Sequence, residues 1–87
     1  MKTENERLPQ DIIRNYIMEN VNLQDLNDDF DIFEAGLVNS LFAIELMTFL
    51  EKVFNIKVTM DDLDMENFKT VNSTGRFVQR KREGRNV

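Results

Sequence analysis

Between Ser40 and Phe54 ten of fifteen residues are apolar, none is glycine or proline, and Asn39, a good helix-capping residue, stands directly before them. A run of that length and composition specifies a helix of about four turns. The rest of the chain must then supply partners for its apolar face. Spacing residues by about 100° puts Phe42, Ala43, Leu46, Met47, Phe49, Leu50, Val53 and Phe54 on one broad arc that can face a core. The opposite arc holds Ser40, Leu41, Ile44, Glu45, Thr48, Glu51 and Lys52. Two apolar residues, Leu41 and Ile44, therefore fall on the wetter side. They either meet a neighbouring loop or form an interaction patch rimmed by Glu45 and Glu51, and the wheel does not choose between the two.

With three glycines and one proline in 87 residues, the remaining elements are also expected to be helical. Pro9 suits a first helical turn, and Ile12, Ile13, Tyr16 and Ile17 recur at helical spacing, which predicts a helix over about residues 9 to 20. Residues 21 to 38 mix Asn and Asp with Leu23, Leu26, Phe30, Ile32 and Phe33 without a sustained period. They read as a long loop held to the core by its apolar side chains. After a connection over residues 55 to 58, Thr59 with Asp62 makes an imperfect capping box, and Leu63, Met65 and Phe68 supply a brief third helix. Thr70, Asn72 or Ser73 can cap a last helix that buries Val71, Phe77 and Val78 before the charges of Arg80 to Arg85 take over. The final residues are expected to fray. The prediction is an all-α fold: a small four-helix bundle in one domain over residues 1 to 87, with an ordered core from about 8 to 80, a charged C-terminal tail and seven phenylalanines among its core formers.

The formal charge of −5 conceals an asymmetry. Residues 19 to 66 hold twelve acids against Lys52 and Lys57, whereas Lys69, Arg76, Arg80, Lys81, Arg82 and Arg85 face only Glu83 at the C-terminal end. An acidic body is a poor nucleic-acid platform, and the basic end lacks interleaved aromatics beyond Phe77, so it reads as a solvated helix face rather than an RNA or anionic-lipid contact. Lys2, Glu4, Glu6, Arg7, Asp11 and Arg14 exclude the apolar core of a signal peptide, and no apolar run is long enough to insert in a membrane. A cytoplasmic monomer is expected.

The chain contains neither histidine nor cysteine. The hydroxyl of Ser40 is thus its best candidate for covalent chemistry, and it has no obvious internal base to activate it. Serine near a helix start often only caps. Yet a phosphodiester attached there would meet free amide groups and the positive end of the helix dipole. If Ser40 reacts, another protein performs the chemistry.

The ordered set of Phe33-Glu34-Ala35-Gly36, Asn39-Ser40-Leu41, Glu45-Leu46, Phe54, Asp62-Leu63 and Thr70-Val71 resembles the acyl carrier protein family over nearly the whole chain. The resemblance implies a non-catalytic carrier whose Ser40 is esterified by 4′-phosphopantetheine. The group would come from coenzyme A through a separate magnesium-dependent phosphopantetheinyl transferase. An acyl or aminoacyl thioester would ride on that arm. Loading, tailoring, acyltransferase or condensing enzymes would dock on the central helix, here through Asn39, Leu41, Ile44, Glu45, Thr48 and Glu51. Asn39 stands where the family commonly has Asp, and Lys52 interrupts an otherwise acidic face, so partner choice should differ from that of housekeeping lipid synthesis. The stretch Val38-Asn39-Ser40-Leu41-Phe42-Ala43, with Asp62-Leu63-Asp64 and Asn67-Phe68, looks most like discrete carriers of methoxy-, hydroxy- or aminomalonyl polyketide extender units. D-alanyl carrier proteins of teichoic acid modification come next.

Other signals are weaker. Asp25, Asn27 and Asp29 alternate like the start of an EF-hand, but Phe30 occupies the sharp-turn glycine and Gly36 the terminal glutamate. Asp61, Asp62, Asp64 and Glu66 form a carboxylate cluster better explained by helix-end charge and partner contact than by acid and base catalysis. Asn72-Ser73-Thr74 matches a glycosylation sequon and reads more simply as a cap. The rival from another class is a helical adaptor that uses Leu41 and Ile44 and never bears a prosthetic group.

Overall fold

The computed structural model describes residues 8–84 and contains four α-helices, with no strand among the described residues. They are α1 (Pro9–Asn20), α2 (Ser40–Phe54), α3 (Met65–Phe68) and α4 (Val71–Glu83), with a 3-10 turn over Met60–Asp62 before α3. Pro9 occupies the first turn of α1, where its missing N–H costs nothing. At the other end Asn22 takes a left-handed conformation (φ 58°) and the Leu23 N–H donates back to the Met18 carbonyl at 2.9 Å. Helix α2 likewise ends on a left-handed Asn55 (φ 56°).

Of the three possible caps for the last helix, the fold uses Thr70. Its hydroxyl accepts from the Ser73 N–H at 2.9 Å, while the Ser73 hydroxyl accepts from the Thr70 N–H at 3.1 Å. Both residues are buried, so this exchange satisfies groups that would otherwise be lost to water. The third helical segment is split: the Asp62 carboxylate accepts from the Thr59 N–H at 2.9 Å to hold the 3-10 turn, and Asp64 caps α3 by accepting from the Glu66 N–H at 3.0 Å.

The core joins Ile13 and Ile17 of α1, Phe42, Leu46, Met47 and Leu50 of α2, Phe68, and Val71, Phe77 and Val78 of α4. Helix α4 packs on both α1 and α3. Helix α2 is secured to α1 by ring stacking, with Tyr16 3.9 Å from Phe49 and 6.0 Å from Phe42 between centroids. Two expectations need correction. Val53, assigned to the core arc, is 45% exposed although it falls within about 20° of Leu46 on the wheel, because it lies in the last turn of α2, past Leu50 where the buried stripe ends. Phe30, taken as a loop anchor, is 44% exposed, whereas Leu26 and Ile32 are buried and Leu23 and Phe33 pack against the core as expected. Helix α4 continues through Arg80, Lys81 and Arg82 to Glu83. The expected fraying of the final residues concerns 85–87, which lie outside the described residues.

Candidate functional site

The segment leading to Ser40 has no regular secondary structure, yet its path is tied down. Asp28 accepts a two-pronged contact from the Arg14 guanidinium (2.7 and 3.0 Å), and its carbonyl accepts from the Asn72 N–H at 3.0 Å. That guanidinium holds the Asp28 carboxyl below its ordinary range, against the opposing effect of burial. The Ile32 N–H donates to the Lys69 carbonyl at 2.9 Å, and its side chain is fully buried. These ties join the loop to α1 and to the junction of α3 and α4.

Asp31 then starts a single turn, accepting from the N–H groups of Phe33 (3.0 Å) and Glu34 (2.9 Å). Gly36 ends it with φ 79°, and the Leu37 N–H closes back on the Ile32 carbonyl at 3.1 Å. A Cβ at Gly36 would meet nothing within 4 Å, so glycine is required here by conformation and not by space. The sequence reading missed Asp28 and Asp31 as the residues that aim this segment. For Asp31 a local signal existed, a short polar acceptor two and three residues before the amides it binds; the contacts of Asp28 are long-range and have none.

Asn39 caps α2, its side-chain oxygen accepting from the Phe42 N–H at 3.1 Å, and its carbonyl accepts from the Ala43 N–H at 3.3 Å. The Ser40 and Leu41 N–H groups are left with no protein acceptor among the described residues. Ser40 is exposed, and no acidic residue sits in the first turn to compete for those amides. This arrangement fits an anionic phosphodiester on the Ser40 oxygen.

Asn39, Leu41, Ile44, Glu45, Thr48 and Glu51 are all exposed on the Ser40 side of α2, with Leu41 61% and Ile44 46% accessible. The exposure of Leu41 and Ile44 decides against their burial under the preceding loop. Glu51 also has an internal task, since its carboxylate accepts from the Val58 N–H at 2.8 Å and so fixes the connection after α2. Glu45 lies close enough to Tyr16 to help burial, the larger effect, raise the phenol above its usual range.

The acidic cluster of the 60s is divided among structural duties. Asp62 pairs with Lys81 at 2.8 Å and Glu66 with Lys69 at 2.9 Å. No group of three or more potential metal ligands converges among the described residues. Nor is any described helix long and apolar enough to cross a membrane.

The family described as "Phosphopantetheine attachment site" matches residues 11–78. Among curated relatives, the D-alanyl carrier protein of Streptococcus equi subsp. zooepidemicus (strain MGCS10565) is 38% identical over 52 residues, 58% of this chain and 66% of the relative. That of Streptococcus uberis is 40% identical over 52 residues with the same coverage. That of Lactococcus lactis subsp. lactis (strain IL1403) is 36% identical over 55 residues, 63% of this chain and 70% of the relative. The chain thus spans just under two thirds of the length of the streptococcal relatives it matches.

Proposed function

The chain belongs to the phosphopantetheine-attachment family of acyl carrier proteins, non-catalytic carriers of a covalently attached 4′-phosphopantetheine, and from that premise we propose that Ser40 is the attachment point and that the group carried is D-alanyl. The carrying observation is the exposed Ser40 hydroxyl on the first residue of α2, beside two N–H groups with no acceptor among the described residues. When bound, the prosthetic group supplies the thiol that this cysteine-free chain lacks, able to hold an acyl group as a thioester. Asn39 keeps the helix start ordered, Gly36 and the ties of Asp28 and Ile32 position the approach, and the Ser40 and Leu41 amides would be available to the phosphate charge. The chain lacks histidine, and no described side chain hydrogen-bonds the Ser40 hydroxyl to serve as its base, so a phosphopantetheinyl transferase performs the modification. The Leu41 and Ile44 patch, with Glu45 beside it, is the docking surface for that transferase and for the enzymes that load and unload the carrier.

The cargo reading rests on the named relatives, all D-alanyl carrier proteins. They reverse the order drawn from sequence motifs, in which substituted-malonyl extender carriers stood first. Intact mass after incubation with coenzyme A, magnesium and a promiscuous phosphopantetheinyl transferase tests the site: one phosphopantetheine is gained by the native chain and none by Ser40→Ala. A gain retained in the variant moves the attachment elsewhere, and no gain in a folded native sample favours the adaptor. Offering the phosphopantetheine-bearing carrier to a D-alanine-activating ligase with ATP, and separately to an enzyme that loads glyceryl or seryl groups, then tests the cargo. Efficient loading by the second alone restores the extender-unit reading.

A further inference from the structure

A cleft lies at the end of the molecule away from Ser40. It has a volume of about 680 Å³ and opens between the C-terminal ends of α2 and α4. Phe54 and Ile56 form an apolar, partly buried wall, and Lys57, Arg80, Lys81 and Arg82 supply every charged group among the described lining residues, with no carboxylate among them. In a chain with sixteen acids and eleven bases, this is a local inversion of charge.

Part of the basic character serves the fold. Lys81 is neutralised by Asp62, and cations in a last helical turn complement the dipole of α4. Lys57 and Arg80 carry no ion pair among the described residues. Arg80 donates to the neutral side-chain oxygen of Asn67 at 3.0 Å and lies 5.8 Å over the Phe77 ring, so no described carboxylate neutralises it, and Lys57 is exposed. The Arg82 guanidinium lies 5.8 Å over the Phe54 ring, joining the cationic rim to the apolar wall.

We propose that this cleft is a second docking point, recognising an acidic segment of a partner protein that places a carboxylate between Lys57 and Arg80 and an apolar side chain against Phe54 and Ile56. Charge complementarity selects the occupant. Shape narrows it further: the apolar face of α4 is spent on the core through Phe77 and Val78, so no flat amphipathic surface remains here to lie on a bilayer, whereas a concave cleft accepts a protruding chain. The fifteen residues of α2 span about 22 Å at 1.5 Å each. A partner of ordinary footprint, burying roughly 800 Å² on its side, therefore reaches both Ser40 and the cleft. Opposite charges at the two ends would then fix the direction in which such a partner lies along α2.

The test is an amide-resolved NMR titration of the full chain with a synthetic Glu-Leu-Glu-Phe-Glu peptide, its Lys-Leu-Lys-Phe-Lys counterpart, inorganic phosphate, and vesicles of phosphatidylglycerol with phosphatidylcholine. The acidic peptide alone should shift the amides of Ile56, Lys57 and Arg80 to Gly84, with affinity on the order of millimolar that weakens with salt. Lys57→Glu, an exposed substitution that breaks no described contact, should weaken binding by roughly three- to tenfold while phosphopantetheine loading at Ser40 is unchanged. Arg80→Gln gives an independent second variant with the same expected direction. No shift up to several millimolar, shifts centred on Leu41 and Ile44, or indifference to Lys57→Glu overturns the proposal. Saturation of the same amides by phosphate alone replaces it with a small-anion site, and binding to anionic vesicles without peptide binding replaces it with a lipid contact.

Discussion

At the scale of single residues, Asp28 ties the segment that leads to Ser40 to two helices at once. It joins α1 through Arg14, α4 through Asn72, and the loop that leads to the site. Its carboxyl titrates below the ordinary value of 3.8 because the guanidinium stabilises the charged form. A carboxyl depressed on folding adds stability above its unfolded pKa and loses that share as pH falls through the folded one. Asp28→Asn should therefore cost roughly 1 kcal/mol near neutral pH. The gap between variant and native chain should narrow in denaturant titrations carried below the ordinary carboxylate range. A gap independent of pH would mean that the ion pair contributes nothing. None of this was readable in the sequence, where Asp28 is one of several acids in a loop. Ser40 and Asn39, by contrast, were legible because capping is a local property that adjacent residues encode.

At the scale of elements, the boundaries of α1 and α2 agree with the sequence reading because proline, asparagine and apolar periodicity mark them directly. The third helical segment was legible only as something short: whether Thr59, Asp62 and Asp64 build one turn or two depends on how the chain reaches α4. The wheel of α2 was right through its middle and failed at Val53, since angular position cannot tell where a neighbouring helix ends. The same wheel left Leu41 and Ile44 open, and the fold exposes both. Leu41→Ala and Ile44→Ala should then change thermal stability little, within about 0.5 kcal/mol as for ordinary surface sites, while lowering the rate of phosphopantetheine loading severalfold. Unchanged loading kinetics with retained helicity would remove these side chains from the docking surface.

At the scale of the whole molecule, the acidic body and the basic corner near the C-terminal ends of α2 and α4 give the chain a polarity that its net charge hides. The asymmetry was visible in the sequence, but the cleft was not, because it forms where the ends of α2 and α4, at Phe54 and Glu83, meet. Loading should be faster at low ionic strength if partners approach the acidic face with basic patches, and raising salt from about 0.02 to 0.3 M should slow it several-fold without altering the fold. A rate insensitive to salt would reduce the acidic face to a solubility device. The loop before Ser40 carries a different lesson. Two of its ties, from the Ile32 N–H to the Lys69 carbonyl and from the Asn72 N–H to the Asp28 carbonyl, run from main chain to main chain. Bonds of that kind do not read side-chain identity, so the path of the loop is inherited through backbone geometry rather than spelling. Mutational drift can rewrite much of its lettering, with new charges and new partners to match, while the serine keeps its address.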